Sequence, residues 1–118
     1  ASRGDTSVHL MGLAATSGEA STMLRALLAT QDKELGTGAS NRGHYSNPAF
    51  DTKLNEAMRT LDDAKREAIL QEATRMAMAD TGLIPIHIQK NAWALRHGLT
   101  IDARADEYTR AQDVRPAD

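Results

Sequence analysis

A chain of 118 residues with 41% hydrophobic and 25% charged residues fits one compact domain, burying about two-thirds of its unfolded surface. Its 14 basic and 16 acidic residues give a formal net charge of -2, with no basic excess to hold nucleic acid, and its apolar runs fall far short of the roughly 20 residues that cross a bilayer as a helix. The absence of cysteine excludes disulfides, thiolate chemistry and cysteine zinc sites, and leaves the redox compartment open.

The opening ASRGDTSVHL has neither the basic start nor the long apolar stretch of a signal peptide. It runs almost directly into Ser7 to Ala15, where Val8, Leu10, Met11 and Leu13 make an apolar run suited to a buried strand. With only Tyr45, Phe50, Trp93 and Tyr108 aromatic, the chain reads as a fragment. Thr16, Ser17 and Gly18 form a turn into a first helix striped by Met23, Leu24, Leu27 and Leu28. From Asp32 to Ser46 three glycines and many polar groups predict a surface loop.

Asn47-Pro48 is an N-cap followed by proline at the first helical position, where the missing N–H costs nothing. Phe50, Leu54, Ala57, Met58 and Leu61 then share one helical face. Asp62 and Asp63 open a third helix reaching about Asp80, with Ile69, Ala73, Met76 and Ala77 inward and Gly82 closing it. The short link makes the last two helices an antiparallel hairpin. Leu83 to Gln89 and Ala92 to Arg96 read as two late strands, and the polar text from His97 as a loosely packed tail. The expected architecture is therefore α+β: an early strand, three helices and a late strand pair.

The opening turn is a poor catalytic site. Gly12 and Gly18 are separated by five residues where a phosphate loop needs four, and Glu19 stands in place of its lysine. Ser17 has Ala15 and Glu19 where a nucleophile elbow needs glycines, so Thr16 or Ser17 is better read as a helix cap. No two of His9, His44, His87 and His97 have the i, i+4 spacing that aims imidazoles from one helix at a metal. His9 and His87, within apolar runs, read as hydrogen-bonded core or cleft histidines, whereas His44 on the loop is free to face a ligand. Asp62, Asp63, Glu67 and Glu72 read as dipole complement and solvated face, and Met23, Met58, Met76 and Met78 as core filling.

The stretch from Tyr45 to Leu99 resembles the C-terminal region of the family 5 extracellular solute-binding proteins, the peptide, nickel and glutathione receptors of ABC importers. Their pattern runs Tyr-x-Asn-Pro-x-Phe-Asp, Thr-x-Asp-Pro, Ile-Pro-Leu and Trp-Ala-Met-Arg-x-Gly-Leu. Here it is supplied by Tyr45, Asn47, Pro48, Phe50, Asp51, Thr60, Asp62, Ile84, Pro85, Trp93, Arg96, Gly98 and Leu99, with Asp63 in place of the helix-starting proline. GLAATSGEASTMLRALL follows the outline of the family's segment before the preceding helix.

This resemblance implies a type II periplasmic-binding-protein fold, of which residues 1–90 end the distal lobe and 91–118 return to the N-terminal lobe, the remainder lying upstream. It implies a periplasmic, or extracellular and membrane-tethered, receptor that closes two lobes on a peptide-like or other small polar solute and delivers it to an inner-membrane permease, with no cofactor, metal, nucleic acid or bond-making step. The opening turn then belongs to the ligand cleft, which makes Leu13, Thr16, Ser17 and Glu19 candidate contacts, with Asn41 and His44 on the loop. Thr16 stands where relatives hold a peptide's α-amino group with aspartate, and Leu13 where they often have tryptophan. Hydroxyls cannot neutralise an ammonium, so a polar, less cationic ligand of glutathione type is expected. Exposed edges of an isolated fragment are expected to pack on a neighbouring copy or stay disordered. The alternative is a freestanding helical-hairpin interaction domain.

Overall fold

A computed structural model describes residues 8–15, 18–104 and 106–117. They form three α-helices, α1 (Ala20–Leu27), α2 (Pro48–Arg59) and α3 (Asp63–Ala79), and a two-stranded antiparallel sheet of β1 (Leu99–Ile101) and β2 (Val114–Pro116). The chain divides after Pro85 into a helical unit and a smaller unit beginning at Ile86.

Both hairpin helices start where their caps place them. The Asn47 side-chain Oδ1 accepts from the Ala49 and Phe50 amides at 2.9 and 3.2 Å, ahead of Pro48, and the Asp62 carboxylate accepts from Lys65 N–H at 2.8 Å. These bonds satisfy amides that lack an intrahelical partner. Phe50, Leu54 and Ala57 of α2 pack with Ile69, Leu70, Ala73 and Ala77 of α3, and Leu24 and Leu28 complete the core from α1 and its C-terminal end. Leu70, absent from the expected stripe, is buried, while Met58 and Leu61 are exposed. Helix α2 ends at Arg59 and Thr60 is extended (ψ 121°), so the helical phase is lost before Leu61, which is 95% exposed. Of the methionines read as core filling, Met78 packs against the cluster and Met58 lies outside it.

Helix α3 closes with crossed bonds: Thr81 N–H donates to Met78 O at 3.1 Å and Gly82 N–H to Ala77 O at 2.9 Å. The left-handed position in this closure is held by Thr81 (φ 56°), a β-branched residue, and Gly82 is needed for a different reason. A Cβ on Gly82 would lie 2.9 Å from Tyr45 Cδ2 and 3.2 Å from Leu28 Cδ2. The two positions therefore respond oppositely to substitution. Thr81→Gly relieves a left-handed strain of roughly 1–2 kcal/mol, partly offset by glycine's extra chain entropy, and is expected to raise the thermal midpoint by a few degrees. Gly82→Ala is expected to lose about 1–3 kcal/mol through overpacking; parallel melts of the two variants check both signs.

Three strands expected from the sequence are not formed. Residues 8–15 adopt no strand, with Val8 and Leu10 exposed, and the intervals 83–89 and 92–96 are likewise unpaired. An extended run becomes a strand only when its amides and carbonyls meet another backbone, and none lies alongside these segments among the described residues. The pair that does form lies in the supposed polar tail, with Leu99 opposite Pro116, Thr100 opposite Arg115 and Ile101 opposite Val114. Ala117 N–H to Gly98 O (2.9 Å) and an Arg115–Asp102 ion pair at 2.7 Å extend it. In the same unit Trp93 Nε1–H donates to Thr109 Oγ1 at 2.9 Å, and the Arg104 guanidinium holds the Asp106 carboxyl down at about 2. His9 and His87, expected in core or cleft, are exposed because their strands are absent.

Candidate functional site

The loop between α1 and α2 is tied back onto the end of α1. Gly38 N–H donates to Arg25 O (3.0 Å) and Ser40 N–H to Ala26 O (2.9 Å), satisfying carbonyls that the last helical turn leaves open. Gly38, at φ 64°, comes so close that a Cβ would meet Ala29 O at 2.5 Å.

Asn41 organises the rest of this loop. It is 2% exposed; its Nδ2 donates to Ala29 O (3.0 Å) and Tyr45 O (2.7 Å), and its Oδ1 accepts from Tyr45 N–H (3.0 Å). Both amide donors and the carbonyl oxygen are thus engaged by backbone. Three residues on, His44 is exposed in a left-handed conformation (φ 53°), its N–H donating to Asn41 O at 3.4 Å. The two loop candidates therefore differ: the Asn41 side chain holds the loop, and the His44 side chain is presented outward by it.

Tyr45 links the loop to the hairpin. Its ring meets Phe50 edge-on at 5.9 Å, and its hydroxyl donates to Asp80 Oδ2 at 2.8 Å, where Asn47 Nδ2 also donates at 2.6 Å. Burial and then the bond to Asp80 raise the Tyr45 pKa, while the donors from Tyr45 and Asn47 lower that of Asp80.

A groove of about 410 Å³ opens beside this loop, lined among others by Arg25, Thr30, Gln31, Leu35, Asp51 and Met58. Its floor carries a hydroxyl–carboxylate chain. Thr30 N–H and Oγ1–H donate to the two Asp51 oxygens at 3.0 and 2.5 Å, and Thr30 Oγ1 lies 2.9 Å from Ser46 Oγ. Such groups orient a polar ligand by hydrogen bonds, with Leu35 and Met58 offering apolar contact at the sides. None of the sequence-derived candidates lines this groove. No sequence signal marks it, because Thr30 and Asp51 are 21 residues apart and are paired only by the fold.

In the opening turn, Thr16 and Ser17 lie outside the described residues. Around them, Leu13 is 51% exposed and Gly18 N–H donates to Ala15 O at 3.0 Å. Glu19 occupies the N-cap position of α1 (φ -115°, ψ 141°) without its side chain capping the helix. Its carboxylate instead accepts from Arg66 of α3, Nε at 2.7 Å and Nη2 at 2.9 Å, a bidentate pair across 47 residues. Among the described residues no three His, Cys, Asp or Glu side chains converge as metal ligands, and no helix is long and apolar enough to cross a membrane.

About half of the chain is similar to part of two periplasmic oligopeptide-binding proteins. Over 58 residues, 49% of this chain, the sequence is 31% identical to the periplasmic oligopeptide-binding protein OppA of Escherichia coli. It is 28% identical over the same length to OppA of Salmonella typhimurium. The matched region is 11% of each relative's length. No family model matches the chain, and no solved structure does.

Proposed function

We propose that this chain is the C-terminal part of a family 5 extracellular solute-binding protein, the periplasmic receptor of an ABC importer. The observation that carries this reading is the 58-residue similarity to OppA, joined by the motif series from Tyr45 to Leu99. The receptor captures a peptide-like or other small polar solute by closing two lobes and passes it to an inner-membrane permease, without making or breaking a bond. Residues 1–90 belong to the distal lobe and 91–118 return to the other. The ligand turn runs from Leu13 to Glu19 with the Thr16 and Ser17 hydroxyls as its contacts, and the Asn41 loop presents His44 beside the cleft.

The test uses the complete reading frame that carries this chain. Thr16→Val removes a hydroxyl at nearly constant volume and is expected to weaken solute binding by about 0.5–1.5 kcal/mol, the worth of one ordinary hydrogen bond, in a calorimetric titration. Unchanged affinity in both Thr16→Val and Ser17→Ala would make the turn purely structural. Turnover of a peptide or ester, lost on Ser17→Ala, would replace the receptor reading with a hydrolase. A reading frame ending near this chain's own length would favour the helical-hairpin interaction domain.

A further inference from the structure

The groove beside the α1–α2 loop brings opposite charges together without pairing them. Arg25 from the last turn of α1 and Asp51 from the first turn of α2 both line it, with Asp32 on the loop. Each helical charge suits its place, a cation at a C-terminal end and a carboxylate at an N-terminal one. Yet among the described residues none of the three makes an ion pair. Neutral partners hold them apart. Arg25 Nη2–H donates to Leu35 O at 2.7 Å, which fixes the guanidinium and leaves its other N–H groups open. The half-buried Asp51 carboxylate takes the Thr30 N–H and hydroxyl at 3.0 and 2.5 Å, one on each oxygen, and each oxygen keeps a lone pair. Asp32 Oδ1 is taken up by the Glu34 and Leu35 amides at 2.8 and 3.0 Å.

We propose that this groove is a binding site for a zwitterionic α-amino acid with an unbranched apolar side chain, its carboxylate on Arg25, its ammonium on Asp51 and its side chain against Leu35 and Met58. A zwitterion carries both charges at a short, fixed separation and answers both walls at once. A purely cationic ligand leaves Arg25 unanswered, and a purely anionic one faces the carboxylates of Asp32 and Asp51. Leu35 and Met58, 66% and 42% exposed, supply apolar area that an alkyl chain covers. The volume of about 410 Å³ lies within the range of small-molecule sites. All the lining residues belong to the helical unit, so the site is complete within it and does not rest on the receptor reading.

The test follows backbone amide signals of the 118-residue chain by NMR while L-norleucine is added. The Thr30 and Asp51 amides are expected to shift saturably. n-Pentylamine, which lacks only the carboxylate, and hexanoate, which lacks only the ammonium, are each expected to bind about tenfold more weakly, the worth of one charge-assisted hydrogen bond. Arg25→Gln is expected to erase the advantage of norleucine over pentylamine, and Asp51→Asn its advantage over hexanoate, which a merely structural role would leave unchanged. Asp51→Asn keeps the local bonds, because the Thr30 hydroxyl then accepts from the new amide and donates to Ser46 Oγ, 2.9 Å away. Unaltered exchange protection at the core amide of Ala73 checks the fold of each variant. If Asp51→Asn does not fold, Met58→Lys decides: it replaces a side chain outside the core, and its ammonium competes for Asp51 and is expected to remove norleucine binding. Absence of saturable shifts at Thr30 and Asp51, equal binding of pentylamine or hexanoate, or undiminished norleucine binding in the folded variants overturns the proposal.

Discussion

Phe50→Ala is expected to abolish the cooperative thermal unfolding of the helical unit. The Phe50 side chain is fully buried (0% exposed) at the point where all three helices meet, and its ring also receives the edge of Tyr45. Truncating a buried phenylalanine costs about 3–5 kcal/mol through lost burial and the cavity left behind. Small domains have roughly 5 kcal/mol at the lower end of the usual range, so the loss removes most of what holds this unit together. Alanine also leaves the Tyr45 ring without its packing partner, which loosens the Tyr45–Asp80 bond joining loop to hairpin. Far-UV circular dichroism on heating gives the check: a broad, non-cooperative slope for Phe50→Ala against a sigmoidal melt for Phe50→Leu. Leucine keeps the site apolar and mostly filled, and costs about 1.5 kcal/mol or less.

Asn41→Asp is expected to lower the melting temperature at pH 7 by roughly 10–20 °C, from a loss of about 3 kcal/mol. The exchange is nearly isosteric, so the effect reports the lost hydrogen bonds and the buried charge rather than packing. The carboxylate still accepts from Tyr45 N–H, but it replaces the donors to Ala29 O and Tyr45 O with an oxygen facing two carbonyl oxygens. Lowering the pH to 4 is expected to recover part of the loss, because the protonated acid regains one O–H donor. The same variant separates two roles for Asn41. A loop-holding side chain gives the stability loss just described, whereas a side chain serving only as a ligand contact leaves the melting temperature of the unliganded chain unchanged.

The helices were legible because their signals are local. Asn47-Pro48 and Asp62 make their bonds within three residues, and the apolar spacing of α2 and α3 acts along one element at a time. The failures share the opposite property. LIPIHIQ has the alternation and β-branching of a strand, but strand formation depends on a partner that the run itself does not specify, and Ile84, Ile86 and Ile88 remain exposed. Conversely β1 and β2, three residues each, are too short to show a period and are recognisable only once they are paired. The candidate site follows the same division. The glycine-rich loop marks Asn41 only as a candidate ligand contact; its engagement with the backbone at Ala29 and Tyr45 depends on the folded path of the chain and has no sequence signal. Glu19 was singled out for its place in the turn, while Arg66, 47 residues later, carries no motif of its own.

The core order has a consequence for synthesis on the ribosome. Helix α1 emerges first, but Leu24 and Leu28 are covered by Phe50, Ile69 and their neighbours, the last of which, Ala77, is added about 50 residues later. At roughly 5–20 residues per second the apolar stripe waits a few seconds for these partners. Helices α2 and α3, adjacent in sequence, can pair as soon as both have emerged. Among the three helices, the hairpin is therefore the template onto which the earlier helix is gathered last.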